Sequence, residues 1–247
     1  LEFRRVLFRS GRCERCFAQS EQDAERFRRL GAHGVQAVGS TKRDAAPLPV
    51  DHAIVARLGQ LFGQRPVVLL ASSHADEELA LLRAWWGQQP AGSGPGSVAW
   101  LLAPRHPQRA AALLAQIEDL VEGGAAPAAL RARLWSNGAA LDASAPDRDG
   151  SGPDGDASAP NRDGRSPDGQ ACDLVVVDCL GAMGSWIAAA EVVVIGGSFY
   201  PQGRSHGGQN PLEAVALGKP VVCGPDMANF SDVTGALVEA GVLHPTT

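Results

Sequence analysis

From residue 66 to the end of the chain, short uninterrupted apolar runs alternate with segments of helical composition. The runs at 67–71, 98–103, 174–177, 192–195 and 221–223 are each followed by a stretch that reads as helix, at 74–88, 107–121, 184–190, 210–217 and 229–240. A further helical piece is predicted at 127–135. A strand that is apolar at every position, rather than at alternate ones, is buried on both faces. Such strands need helices above and below them, and helices that connect consecutive strands make those strands parallel. The pattern therefore demands an α/β fold with a Rossmann-like parallel sheet.

The first part of the chain has a different rhythm. Residues 20–30 read as one helix, with Ser20 and Asp23 resembling a capping box and Gly31 supplying the stop. Residues 35–38 read as a strand, and 39–49, rich in turn formers, as a linker. The opening 1–12 has neither the apolar core nor the cleavage site of a signal peptide and reads as a non-native or disordered leader. Residues 142–155 and 156–169 form a 14-residue tandem duplication with three differences and no large apolar side chain. Such a segment cannot offset the entropy of ordering, so 142–170 is expected to be a disordered insertion in the sheet domain.

Composition removes several function classes. A net charge of −5 without a long basic run argues against nucleic acid as the partner. No apolar run approaches the ~18 residues that a membrane-spanning helix requires. The five cysteines include one CxxC pair, Cys13 and Cys16, with no second pair at zinc spacing. No metal and no cofactor are expected.

In an open parallel sheet, ligands bind beyond the carboxyl ends of the strands. Those positions carry Ser72-Ser73-His74 with Glu77 and Glu78, then Pro104-Arg105-His106-Pro107, Asp178-Cys179-Leu180-Gly181, and Gly196-Gly197-Ser198. Arg105 between two prolines suits a phosphate, but a solvated loop arginine explains it as well. In His206-Gly207-Gly208-Gln209-Asn210-Pro211-Leu212-Glu213, Asn210 serves as helix cap, Pro211 as first helical residue and Glu213 as the capping-box partner. The same stretch presents amides to a phosphate and a carboxylate to ribose hydroxyls. Spacing alone leaves both explanations open.

Taken in order, these motifs resemble a known family. Gly196-Gly197-Ser198, Gly207 to Ala214, Pro220 to Pro225 and Asn229-Phe230 are similar to segments of the Kdo transferases (Kdo is 3-deoxy-D-manno-octulosonic acid). So are residues 18–27, 39–44, 71–74 with Glu77, and 104–107. These are GT-B glycosyltransferases of lipopolysaccharide core synthesis. They move Kdo from CMP-Kdo to a lipid A precursor at the cytoplasmic face of the bacterial inner membrane.

The resemblance implies that residues 47–247 are the C-terminal, nucleotide-sugar-binding domain, and that 13–46 are the tail of an N-terminal acceptor domain with its linker. It implies CMP contacts from Pro104 and Arg105, from Leu180, Gly181 and Ala182, and from Asn210, Pro211, Leu212 and Glu213. It makes Lys42 a stabiliser of transition-state charge. Ser73, His74, His106, Gly196, Gly197 and Ser198 become further donor-site candidates. Where the family usually has Glu, this chain has Ala182, which removes a side-chain contact there. The family's general base is a glutamate of the acceptor domain, so residues 1–247 alone are expected to bind CMP-type ligands weakly and to transfer nothing. Membrane association is expected to be peripheral, through the acceptor domain. The competing readings are a GT-B enzyme for a UDP- or ADP-sugar and a non-catalytic nucleotide-binding module.

Overall fold

The computed structural model describes residues 14–39, 46–89, 96–136, 172–199, 203 and 206–246. The leader, Lys42, Cys13 and the tandem duplication lie outside the described residues. The chain divides into two units, Leu1–Ala46 and Pro47–Thr247. In the first, parallel strands β1 (Cys16–Ala18) and β2 (Val35–Ala37) are joined by helix α1 (Glu21–Arg29). Ser20 caps α1 by accepting from the Asp23 N–H at 3.1 Å, as its residue type predicts. The Asp23 carboxylate takes the Ser20 hydroxyl at 2.8 Å, so the box closes between two side chains.

The second unit begins with α2 (His52–Phe62) and β3 (Val67–Ser73), then α3 (Glu77–Gly87) and β4 (Ala99–Pro104). A 3-10 turn at Pro107–Arg109 leads into α4 (Ala110–Glu122), followed by β5 (Ala132–Leu134) and β6 (Leu174–Val176). Next come α5 (Met183–Ala189), β7 (Val192–Ile195), α6 (Leu212–Ala216), β8 (Val221–Cys223), α7 (Ser231–Glu239) and β9 (Leu243–Pro245). All seven strands from β3 to β9 are parallel, in the order β5-β6-β4-β3-β7-β8-β9. The α/β class expected from the apolar runs is observed.

Side chains along each central strand alternate between two cores, as the pleat requires. Leu69, Leu101, Val175 and Val193 face one, packed on Leu58 and Phe62 of α2, Trp186 and Ile187 of α5, and Val233 of α7. Leu70, Leu102, Val176 and Val194 face the other, packed on Leu82 and Trp86 of α3 and Leu113 and Ile117 of α4. Among the described residues, no helix is long and apolar enough to cross a membrane.

The apolar runs mark five of the seven strands. Residues 127–135 are expected to be helical, and the structure corrects this: Ala132–Leu134 is an edge strand paired with β6, Ala132 opposite Leu174. Alanine, leucine and arginine are good helix formers, but such propensity is small per residue and a tertiary contact overrides it. The contact is Asp173, 3% exposed, which accepts from the Arg131 N–H at 2.8 Å, Arg131 Nε at 3.4 Å and Arg65 Nη1 at 2.5 Å. β9 holds only three residues and ends in proline, which an edge strand tolerates.

Asp173→Ala leaves two arginines and one strand-end N–H without their acceptor. It should lower unfolding free energy by about 3 kcal/mol in urea denaturation, whereas a loss under about 1 kcal/mol would show that β5 is held otherwise.

Candidate functional site

The sheet has a switch point between β3 and β7. The chain leaves β3 toward β4 on one side, and returns from β6 across both strands to β7 on the other. Connections diverging from neighbouring strands open a crevice at their carboxyl ends. Four loops meet there, after β3, β4, β6 and β7.

Two adjacent glutamates of α3 fasten three of these loops, those after β3, β4 and β7. Glu77 is buried, and its carboxylate accepts three backbone N–H groups: His74 at 2.7 Å, Gly197 at 2.8 Å and Phe199 at 3.1 Å. It thereby joins the end of β3 to the end of β7. Glu78, fully buried, accepts the Ser73 hydroxyl at 2.8 Å and pairs with Arg109 at 3.1 Å. Just ahead of them the backbone enters the left-handed region at Ser72 (φ 56°) and Asp76 (φ 74°). Such strain persists only where surrounding structure over-determines it, and the two carboxylates do so here.

Three of the donor-site candidates are part of this scaffold. Ser73 and Ser198 have no exposed surface; Ser73 donates to Glu78, while Ser198 Oγ donates to the Ile195 carbonyl and accepts from the Gly224 N–H at 2.8 Å. Gly196 lies so close to the Ser73 backbone that an added Cβ would stand 2.5 Å from the Ser73 Cα. None of the three is among the residues that line the cavity described next.

A cavity of about 310 Å³ occupies the crevice. Its floor is apolar, formed by Ala71, Ala103, Val177, Ile187, Ile195 and Ala214. Its polar lining comes from separate loops: Ser72, Arg105, Gln209, Asn210 and Glu213, with the Leu180–Gly181 backbone. Arg105 is exposed and has no ion pair or hydrogen bond through its guanidinium among the described residues. Gly181 turns with φ 95°, and Leu180 stands 78% exposed at the rim. Of the residues singled out in the sequence, Pro104, Arg105, Leu180, Gly181, Asn210 and Glu213 line the cavity together. Ala182, Pro211 and Leu212 are not among the lining residues.

Asn210 acts much as its position predicts, its Oδ1 accepting from the Leu212 N–H at 3.1 Å. The helical span is shorter than expected and begins at Leu212, with Pro211 already at helical angles. Glu213 accepts from Asn210 Nδ2 at 3.0 Å, so the carboxylate is oriented by its neighbour along the chain. The preceding glycines have a steric cause: a Cβ on Gly207 would lie 2.6 Å from the Asn229 side chain, which donates to the carbonyls of His206 and Gly208. Asp226, 5% exposed, accepts from the Gly207 N–H at 2.6 Å. Asp226 carries no motif of its own, and neither does the lining residue Leu48, whereas Cys179, in the strand-end stretch, also lines the cavity. Burial beside Asp178 pushes the Cys179 thiol up.

His74 stacks on His206 with ring centres 3.8 Å apart and meets His106 edge-on at 6.4 Å. Its Nε2 lies 3.1 Å from Gln209 Nε2. Burial first, and then the neighbouring His206 and His106, hold its proton affinity below that of an ordinary histidine, with Glu78 acting in the opposite sense.

No family model matches the chain. The 3-deoxy-D-manno-octulosonic acid transferase of Bordetella pertussis is 32% identical over 232 residues, which is 92% of this chain and 44% of the relative. The chain is a homologue of the Kdo transferases. The Rickettsia conorii Kdo transferase is 25% identical over 227 residues, 92% of this chain and 40% of its own length. The chain thus spans less than half the length of these relatives. Among solved structures, the C-terminal CMP-Kdo binding domain of WaaA from Acinetobacter baumannii superposes with a TM-score of 0.52 at 22% identity, over 80% of this chain and 83% of that one. Anabaena Alr3699/HepE, solved with UDP and glucose, gives 0.50 at 15% identity, over 99% of this chain and 53% of that one. Both structural likenesses concern the fold.

The lowered proton affinity of His74 has a sign. The unfolded chain binds that proton more tightly, so its contribution to stability is complete above the ordinary value of 6.5 and is lost as pH falls through it toward the folded value. Melting temperature should therefore fall less steeply for His74→Gln than for the parent chain below about pH 6.5. Identical slopes would contradict this.

Proposed function

We propose that residues 47–247 carry the CMP-Kdo site of a Kdo transferase, and that the whole enzyme moves Kdo onto a lipid A precursor, lipid IVA, in lipopolysaccharide core synthesis. The observation that carries this reading is the convergence of Arg105, the Gly181 turn and the Asn210–Glu213 pair on one cavity at the switch point, in a chain 32% identical to a Kdo transferase.

The chemistry follows from charge. As the bond between the anomeric carbon and the phosphate oxygen breaks, the electron pair stays with CMP and negative charge grows on its phosphate. An arginine fork at the cavity rim meets that charge bidentately and stabilises the transition state more than the ground state. Glu213, oriented by Asn210, accepts ribose hydroxyls, and the backbone at Leu180–Gly181 approaches the nucleotide without a side chain between. With Ala182 in the next position, no carboxylate is supplied there. Lys42 is assigned a second cation for the departing phosphate. The acceptor hydroxyl attacks the anomeric carbon and gives its proton to a carboxylate on the acceptor side, which we assign to a domain other than residues 47–247. Because the acceptor is a lipid, we place the reaction at the cytoplasmic face of the bacterial inner membrane, with peripheral contact made through that domain.

Calorimetry on the 247-residue chain tests the donor assignment. CMP should bind in preference to UMP and ADP, and Arg105→Ala should weaken CMP by about tenfold, the usual worth of one charge-assisted phosphate contact. Preference for UMP or ADP would transfer the chain to a different nucleotide-sugar enzyme. CMP affinity unchanged in Arg105→Ala would remove the phosphate role from that residue.

A further inference from the structure

Gly197 marks a point where three polar side chains meet. A Cβ there would stand 3.2 Å from Gln209 Nε2, 3.2 Å from His74 Cδ2 and 3.3 Å from His206 Cβ. Without one, His74 and His206 stack, Gln209 reaches His74 Nε2, and His106 closes the group edge-on. His106 follows Arg105 directly in sequence, and both Arg105 and Gln209 line the cavity. Gln209 thus joins the cluster to the cavity, and His106 joins it to Arg105 along the chain, although the three imidazoles are not themselves lining residues.

Its charge balance points to an anion. The groups facing His74 are His206, His106, Arg109 and Glu78. Glu78 is engaged by Arg109 and Ser73, and the neighbouring Glu77 by three backbone N–H groups. Neither carboxylate is left to pair with the imidazoles. Among the described residues, no group of three histidine, cysteine or acidic side chains is arranged to hold a metal ion. Three imidazoles without a carboxylate of their own, one of them following Arg105 in the chain, gain positive charge when one of them takes a proton.

We propose that His74, His106 and Gln209 form a subsite for the carboxylate of the acidic sugar, next to the phosphate position at Arg105. This rests on the donor reading above and adds to it the group that recognises the sugar. In a 2-ulosonic acid the carboxylate is attached to the anomeric carbon, so it lies beside the bridging phosphate oxygen, and a subsite adjoining Arg105 is where it falls.

Gln209 links occupancy to protonation. While His74 Nε2 accepts, the Gln209 amide must donate to it. When a bound carboxylate draws a proton onto His74, Nε2 becomes a donor and the amide turns over to present its oxygen. The amide N–H groups are then released toward the cavity, where the anion accepts them. Binding the sugar acid takes up one proton from solvent onto His74.

The test compares CMP with CMP-Kdo by calorimetry on the 247-residue chain, in two buffers of different ionisation enthalpy. CMP-Kdo should bind about tenfold more tightly than CMP near pH 6, with proton uptake, and the advantage should shrink toward about pH 8 as His74 resists protonation. His106→Gln changes an exposed side chain and should reduce the ratio of the two affinities severalfold. Gln209→Glu places a carboxylate against the sugar's own and should abolish the advantage. A ratio unchanged in both variants, or independent of pH, contradicts the subsite while leaving the CMP site standing. Failure of CMP itself to bind the parent chain contradicts the donor reading, and the subsite with it.

Discussion

Glu77 places a carboxylate where almost no water reaches, and three backbone N–H groups from two different loops satisfy it. Without those donors the charge would be costly to bury; without the charge the loops after β3 and β7 would have no common partner. The same device recurs around the sheet. Asp178, after β6, accepts the Ser136 N–H at 3.1 Å, and Asp226, after β8, holds Gly207, while Asp173 does the same at the opposite edge, where β5 starts. Parallel strands bring their ends together on one side, where the loops expose unpaired amides. Acidic side chains set at those ends convert a set of separate turns into one rigid surface.

That division of labour explains why the cavity has polar side chains to offer. The scaffolding bonds are made by Glu77, Glu78, Ser73, Ser198 and Asp226, which turn inward. Arg105, Gln209 and Glu213 are left facing the cavity. Preorganised groups of this kind stabilise developing charge without having to reorganise at the moment of reaction. The strained backbone at Ser72 and Asp76 belongs to the same economy, since the adjacent carboxylates hold it in place.

Much of this was legible in the sequence. Apolar runs with no polar alternation led to a parallel sheet, and Arg105, Gly181 and Asn210 to Glu213 were visible as strand-end residues of the right chemistry. The ordered match of several short motifs named the family that the 32% relative then supported. What the sequence concealed has a common cause. Edge strands β5 and β9 are three residues long, and such short pieces carry no periodicity. Residues 127–135 are helix-forming by composition, but Asp173, some forty positions away in sequence, makes 132–134 a strand. Ser73 and Ser198 look like ligand groups because serine after a strand often is one; only the fold shows their hydroxyls already taken. Glu77 was visible as a strand-end residue, but the three amides that it accepts, and the hold of Asp226 on Gly207, depend on loops distant in sequence.

The central claim is that the carboxyl edge of this sheet is a CMP site built around Arg105. A crystal structure of the chain soaked with CMP tests it most directly. The account predicts the phosphate on the Arg105 guanidinium, the ribose hydroxyls on Glu213 and the nucleotide over the Leu180–Gly181 turn. CMP found elsewhere on the surface, or lying in the crevice with its phosphate away from Arg105, would contradict it.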